Sequence, residues 1–216
     1  MRELINILMA GVVFCGGAAM AASGSDSRAL SAFDKIDVSR GIELHVGCGP
    51  DARAELSGRP QDVSSTSTTV SGHTLKITRD DNPMGHHDSV TVRVTASQAL
   101  VGISASTGVA AEIEACAVSP DHIDLSANTG VTLDLAGSTG RAVIDANTGA
   151  RIQPLDGKRF DAKEVKVSAN TGADIRVCSV EHIDGNASLG ASITADSRSG
   201  TVHTGMGASF SVESCR

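Results

Sequence analysis

Ser126-Ala127-Asn128-Thr129-Gly130 reads SANTG, the same five residues return at Ser168 to Gly172, and DANTG stands at Asp145 to Gly149. Aligned on their last residue, these stretches belong to a longer column of glycines. It runs Gly108, Gly130, Gly149, Gly172, Gly190 and Gly207, at intervals of 22, 19, 23, 18 and 17 residues. A period of about 20 residues with strand-like content predicts a stack of repeats, each burying its apolar face against the next. The uneven intervals are absorbed by loops such as CAVSPDH and PLDGKRFDAKE.

Each repeat alternates apolar and polar residues before the glycine and resumes the alternation after it. Ile123, Leu125 and Ala127 precede Gly130, and Leu133 and Leu135 follow; Val165, Val167 and Ala169 precede Gly172, and Ile175 and Val177 follow. Such alternation sends one set of side chains to a common face. The break at Asn-Thr-Gly marks a corner, where Gly accepts the positive φ that would strain a β-branched residue. Two positions before the glycine stand Ser106, Asn128, Asn147, Asn170, Ser188 and Gly205. Stacked one per coil at ~4.8 Å, their amides can donate and accept along the column. The next position inward is Ala105, Ala127, Ala146, Ala169, Ala187 and Thr204, which suits a tight corner. The repeated pentapeptide is therefore a structural turn and not an active site.

Ahead of the repeats, residues 33–100 alternate in short runs. FDKIDVSRGIELHV sets Phe33, Ile36, Val38, Ile42, Leu44 and Val46 around Arg40-Gly41. TTVSGHTLKIT carries a hairpin signal at Ser71-Gly72, and SVTVRVTA alternates Val90, Val92 and Val94 with polar residues. The expectation is an all-β chain: antiparallel strands over 33–100, then about six right-handed parallel β-helix or solenoid-like coils over 101–216. Both parts form one domain, 33–216.

The first residues, MRELINILMAGVVFCGGAAMAASGS, read as a secretory signal over 1–21 that ends at Ala19-Met20-Ala21. Its apolar run is too short to span a bilayer, and no second one follows it. Residues 22–32 then read as a short flexible linker. A lipoprotein reading of Cys15 ranks lower, because Phe14 precedes it where a small residue is usual. Export leaves Cys48, Cys116, Cys178 and Cys215, an even set that suggests two disulfides among three possible pairings. About three coils separate Cys116 from Cys178, beyond disulfide reach, which favours Cys48–Cys116 and Cys178–Cys215.

With a net charge of −7 and no basic cluster, the chain is poorly suited to nucleic acid. It holds no Trp, no Tyr and four Phe, so aromatic platforms for sugars are scarce and the core falls to Val, Ile, Leu and Ala.

SANTGV, DANTGA, SANTGAD and NASLGAS, placed behind FDKIDVSRGIELHV, resemble the putative auto-transporter adhesin, head GIN domain family. The likeness covers about Phe33 to Arg216. It implies a right-handed β-helix-like fold in exported bacterial proteins and offers no catalytic residues to transfer. This chain departs from the family pattern by writing Asn-Thr-Gly where Ser-Gly-Ala is commoner, and by its four mature cysteines.

Candidate chemistry is sparse. His86, His87 and Asp88 could ligate a transition metal, although neighbours on a strand face opposite ways and a solvated loop explains them more simply. His122 and His182 open matching His-Ile-Asp segments and read as outward repeat positions. Asp124, Asp134, Asp145, Asp174 and Asp184 stand singly, without the paired spacing of β-helix lyases and hydrolases. Gly205-Met206-Gly207 is a lone turn. No metal or cofactor is expected. The reading is an exported, non-enzymatic binding or structural domain of periplasm or cell surface, adhesin-like by resemblance, with a protein or glycan as partner. A carbohydrate-active β-helix enzyme and a periplasmic accessory of a membrane partner are the alternatives.

Overall fold

The computed structural model describes residues 24–80 and 89–215. The elements in order are β1 (Gly24–Ala29), β2 (Lys35–Ser39), β3 (Ile42–Cys48), β4 (Arg53–Gly58), α1 (Pro60–Ser65), β5 (Thr66–Ser71), β6 (Thr74–Arg79) and β7 (Val90–Ala96). Then come β8 (Gly102–Ser106), β9 (Ala110–Ile113), β10 (His122–Asn128), β11 (Thr132–Leu135), β12 (Gly137–Asn147) and β13 (Arg151–Pro154). The last are β14 (Phe160–Ala169), β15 (Asp174–Ala187), β16 (Ser192–Ser197), β17 (Gly200–Thr204) and β18 (Ser209–Ser211). The strands belong to one large mixed sheet that does not close on itself.

The pairings resolve into two parallel ladders. The first runs β6, β2, β8, β10, β12, β14, the second half of β15, and β17. The second runs β7, β3, β9, β11, β13, the first half of β15, then β16 and β18. At each corner glycine the chain crosses from the first ladder to the second, so one rung holds a strand of each. Alternation then places the core. In the rung of β10 and β11, Leu125, Ala127, Val131 and Leu133 are each no more than 1% exposed. Small alanines beside the corner let the ladders converge, while Phe33 and Phe160 fill the wider interior. Each large side chain so buried contributes roughly 1.5–3 kcal/mol, opposed by the entropy of ordering it.

The segment over 33–100 differs from the antiparallel expectation. β2, β3, β6 and β7 all lie parallel to their ladder neighbours, and Arg40-Gly41 is the first corner of the column. Among the described residues only β1–β4, β4–β7 and β5–β6 are antiparallel, and these strands with α1 lie across one end of the stack. Alternation has the same period in either orientation, so it fixes which residues face inward and leaves the partner strand open. Gly24–Ala29, inside the stretch expected to be a flexible linker, forms strand β1 on β4. Its alternation is too polar to announce itself, because an edge strand buries little.

The corners also differ in detail. Both the glycine and the residue before it take positive φ: Thr129 56° and Gly130 67°, Thr148 49° and Gly149 69°, Thr171 49° and Gly172 70°. A β-branched residue thus occupies the strained conformation, which costs about 1–2 kcal/mol. Hydrogen bonds along the stack compensate. The N–H of Gly41, Gly108, Gly130, Gly149, Gly172 and Gly190 each donates at 3.0 Å to the carbonyl of the residue before the next rung's glycine. Asn170 Nδ2 donates to Asn147 Oδ1 at 3.1 Å, and Ser188 Oγ donates to Asn170 Oδ1 at 2.6 Å. Asn128 instead accepts from its neighbour Thr129.

Two disulfides brace the stack. Cys48 joins Cys116 and Cys178 joins Cys215, with Cα separations of 6.1 and 5.1 Å. The proposed signal segment with Cys15, and the trio His86, His87 and Asp88, lie outside the described residues. Among the described residues, no helix is long and apolar enough to cross a membrane.

Candidate functional site

Four residues after each corner glycine, the second ladder turns one side chain outward. Down the stack these are His45, Glu112, Asp134, Gln153, Arg176, Thr194 and Ser211. The column starts as a charged cluster. His45 Nδ1 lies 3.0 Å from Glu112 Oε2 and its Nε2 3.2 Å from Glu43 Oε1.

Further along, the same column enters a cavity of about 880 Å³. Asp134, Gln153, Arg176 and Thr194 line it from four successive rungs. One wall is the turn Leu155–Lys158, closed by the Lys158 N–H donating to the Leu155 carbonyl at 2.8 Å, with Gly157 at φ 65°. The other is the segment Val212–Cys215, anchored by the bond from Cys215 to the fully buried Cys178. The concavity is thus made by two departures from the repeat laid over a regular face.

Its electrostatics are mixed in sign. Lys158 and Arg176 line the same space as Asp134, Asp156 and Glu213. Burial pushes the Asp134 carboxyl above its ordinary value and Glu112 adds to the rise, while Gln153 and Arg151 oppose it. Asp134 Oδ1 is buried without a hydrogen-bond partner.

Of the residues singled out from sequence, only Asp134 and the disulfide cysteine Cys215 line this cavity. His122 and His182 occupy one outward column of the first ladder, with Arg141 and Glu164 on the rungs between them, so they share no site. His182 does sit between Ser199 Oγ at 3.0 Å and Asp184 Oδ2 at 2.9 Å, the residue types of a hydrolytic triad. Ser199, however, donates its own proton to the Glu181 carbonyl at 2.9 Å, and all three side chains are exposed. A serine so engaged is not activated. The Asp184 carboxyl is held below its ordinary value by the Thr201 N–H and by His182. Asp124 and Asp145 face Gly102, Val143, Ser126 and Ser168 across the ladder, while Asp174 pairs with Arg151 at 3.6 Å. Among the described residues no group of three or more His, Cys, Asp or Glu could hold a metal.

The sequence reading missed Gln153, Lys158 and Arg176. A signal was present, since all the column members stand four places past a corner glycine, but nothing in that spacing shows which rungs a loop and a tail enclose.

The family described as putative auto-transporter adhesin, head GIN domain, matches residues 32–197. The chain belongs to this family. Among solved structures, a putative adhesin from Bacteroides fragilis is similar with a TM-score of 0.64 and 15% identity, over 89% of this chain and 98% of that one. A putative adhesin from Parabacteroides merdae is similar with a TM-score of 0.55 and 10% identity, over 88% and 95%. At such identities the likeness is one of fold. No curated protein matches the chain.

Proposed function

We propose that this chain is an exported, non-enzymatic binding module. A signal at residues 1–21 releases a single domain built as a right-handed β-solenoid. The binding site is the cavity over Asp134, Gln153, Arg176 and Thr194, and its ligand is an exposed polypeptide segment on another cell-surface or envelope protein. The observation that carries this reading is the mixed-sign lining, in which Lys158 and Arg176 share the cavity with Asp134, Asp156 and Glu213. A polypeptide offers both signs together with backbone donors and acceptors. A neutral glycan offers neither charge, and among the described residues no aromatic side chain lines the cavity to meet a sugar face. The adhesin-like family and the two disulfides agree with an exported binding role.

Selection of random phage-displayed dodecapeptides on the immobilised chain tests this, with parallel binding to a defined glycan array. Peptides should enrich that bind the parent chain and lose roughly tenfold or more in affinity on Arg176→Glu, a reversal of one charge inside the site. Peptides indifferent to Arg176→Glu, or binding only on the glycan array, would overturn it.

One observation favours a second reading. Asp134, with its raised carboxyl, neighbours Glu112 on the adjacent rung, and paired carboxylates serve glycoside hydrolysis. Glu112 is engaged with His45 outside this cavity, which weighs against the pair acting together. Release of reducing sugar from a polysaccharide panel, abolished by Asp134→Asn, would establish it.

A further inference from the structure

The two ends of the stack are built differently. At one end β1, β4, β5 and α1 cover the first rungs with antiparallel strands bearing Asp26, Arg28, Arg53 and Glu55. At the other, β17 pairs only with β15 and β18 only with β16, so both leave a ladder edge open among the described residues. Open edges are normally blunted by Lys, Pro or a bulge. This one is not: Ser199 to Val212 contains no Asp, Glu, Lys, Arg or Pro.

The exposed side chains change at the same end. The residue before the corner glycine is Arg40, Thr107, Thr129, Thr148 and Thr171, and then becomes Leu189 and Met206. Leu189 is 54% exposed, Met206 78% and Val212 60%, the large hydrophobics on show among the described residues. All three belong to the last two rungs. Leu189 also holds φ 52°, so an apolar side chain is kept at the surface in a conformation that disfavours it. Phe210 and Val202, half-buried, continue the patch onto the end face.

We propose that this end is the face by which two copies of the chain join, tail to tail about a two-fold axis. A chain of net charge −7 repels its copy over most of its surface, and this uncharged end removes that opposition when it meets itself. Head-to-tail growth is opposed because the far end carries Asp26 and Arg28 on its edge strand β1, charges that blunt an open edge and offer nothing apolar to Leu189, Met206 and Val212, which leaves the closed isologous pair. The topology suits it. β17 runs toward the last corner and β18 away from it. A two-fold axis through that corner therefore sets β17 of each copy antiparallel to β18 of the other and brings the two Met206 side chains together. The pairing does not depend on the cavity reading above, and the residue tested does not line that cavity.

The test is sedimentation equilibrium of the full chain, produced with export so that both disulfides form, over a wide concentration range. A reversible monomer–dimer equilibrium is expected, weakened roughly tenfold or more by Met206→Glu and unchanged by Asp26→Lys at the covered end. In a second variant, Met206→Cys, mild oxidation should give a covalently linked dimer. A wild-type chain that stays monomeric throughout would overturn the proposal, as would a dimer lost on Asp26→Lys but kept in Met206→Glu.

Discussion

Thr148 is the sharpest place to test how the corners are held. It sits at φ 49° beside Gly149 at φ 69°, and the N–H of Ala150 closes the turn on the Asn147 carbonyl at 3.2 Å. Two consecutive positive φ values in a four-residue turn favour Asn-Gly, because Asn tolerates the left-handed region and a β-branched residue does not. What Thr148 gives the stack is its carbonyl, which accepts from Gly130 N–H at 3.0 Å, and any residue retains that bond. The Thr side chain is exposed, so its replacement opens no cavity. Thr148→Asn should therefore recover part of the about 1–2 kcal/mol left-handed cost, a net gain of roughly 0.5–1 kcal/mol. For a chain of this size that is a rise of about 2 °C in Tm. Thr148→Val, which keeps the branch and drops the hydroxyl, should give no gain. Thermal unfolding followed by far-ultraviolet circular dichroism measures all three proteins. If Thr148→Asn lowers Tm, the side-chain hydroxyl contributes more than the strain costs, and the account of the corner is wrong.

Breaking the Cys178–Cys215 bond, which spans a separation of 37 residues, should cost about 4 kcal/mol through loop entropy. It should also free the segment that walls the cavity, so Cys215→Ser should show both a lower denaturation midpoint and proteolysis at Val212–Ser214; a midpoint equal to wild type would contradict this. Asp134 supplies a pH signature. Its carboxyl is raised in the folded protein, so the folded state holds that proton more tightly than the unfolded chain, whose value is near 3.8. Stability from this group is complete below that value and is lost as pH rises through the folded one. Asp134→Asn should therefore raise Tm by about a degree or two at neutral pH, with the advantage vanishing in acid; an advantage independent of pH would sink the assignment.

Much of the architecture was legible because it is written locally. The glycine column, the inward alanines and the alternation around them put Leu125, Leu133, Ile175 and Val177 in the core, since strand periodicity and corner φ depend on residues close in sequence. The exclusion of Cys116–Cys178 was equally legible, because rung spacing alone decides it. Strand orientation over 33–100 was not, because β2, β3, β6 and β7 alternate in the same way whichever direction their partners run. Nor was the Thr148 conformation, which bonds to the next rung make tolerable.

Local pattern was therefore enough to establish an all-β chain, the places where it turns and the side chains that face inward. Only the stacked chain shows that Arg40-Gly41 is a corner of the column, that β1, β4 and β5 lie antiparallel across one end while β17 and β18 leave a ladder edge open at the other among the described residues, and that Arg176 and Lys158 share a cavity with Asp134. The physical reason is range. Backbone geometry and apolar periodicity act between near neighbours, whereas a cavity or an open edge exists only once rungs distant in sequence have been stacked and a loop and a disulfide-held tail laid across them.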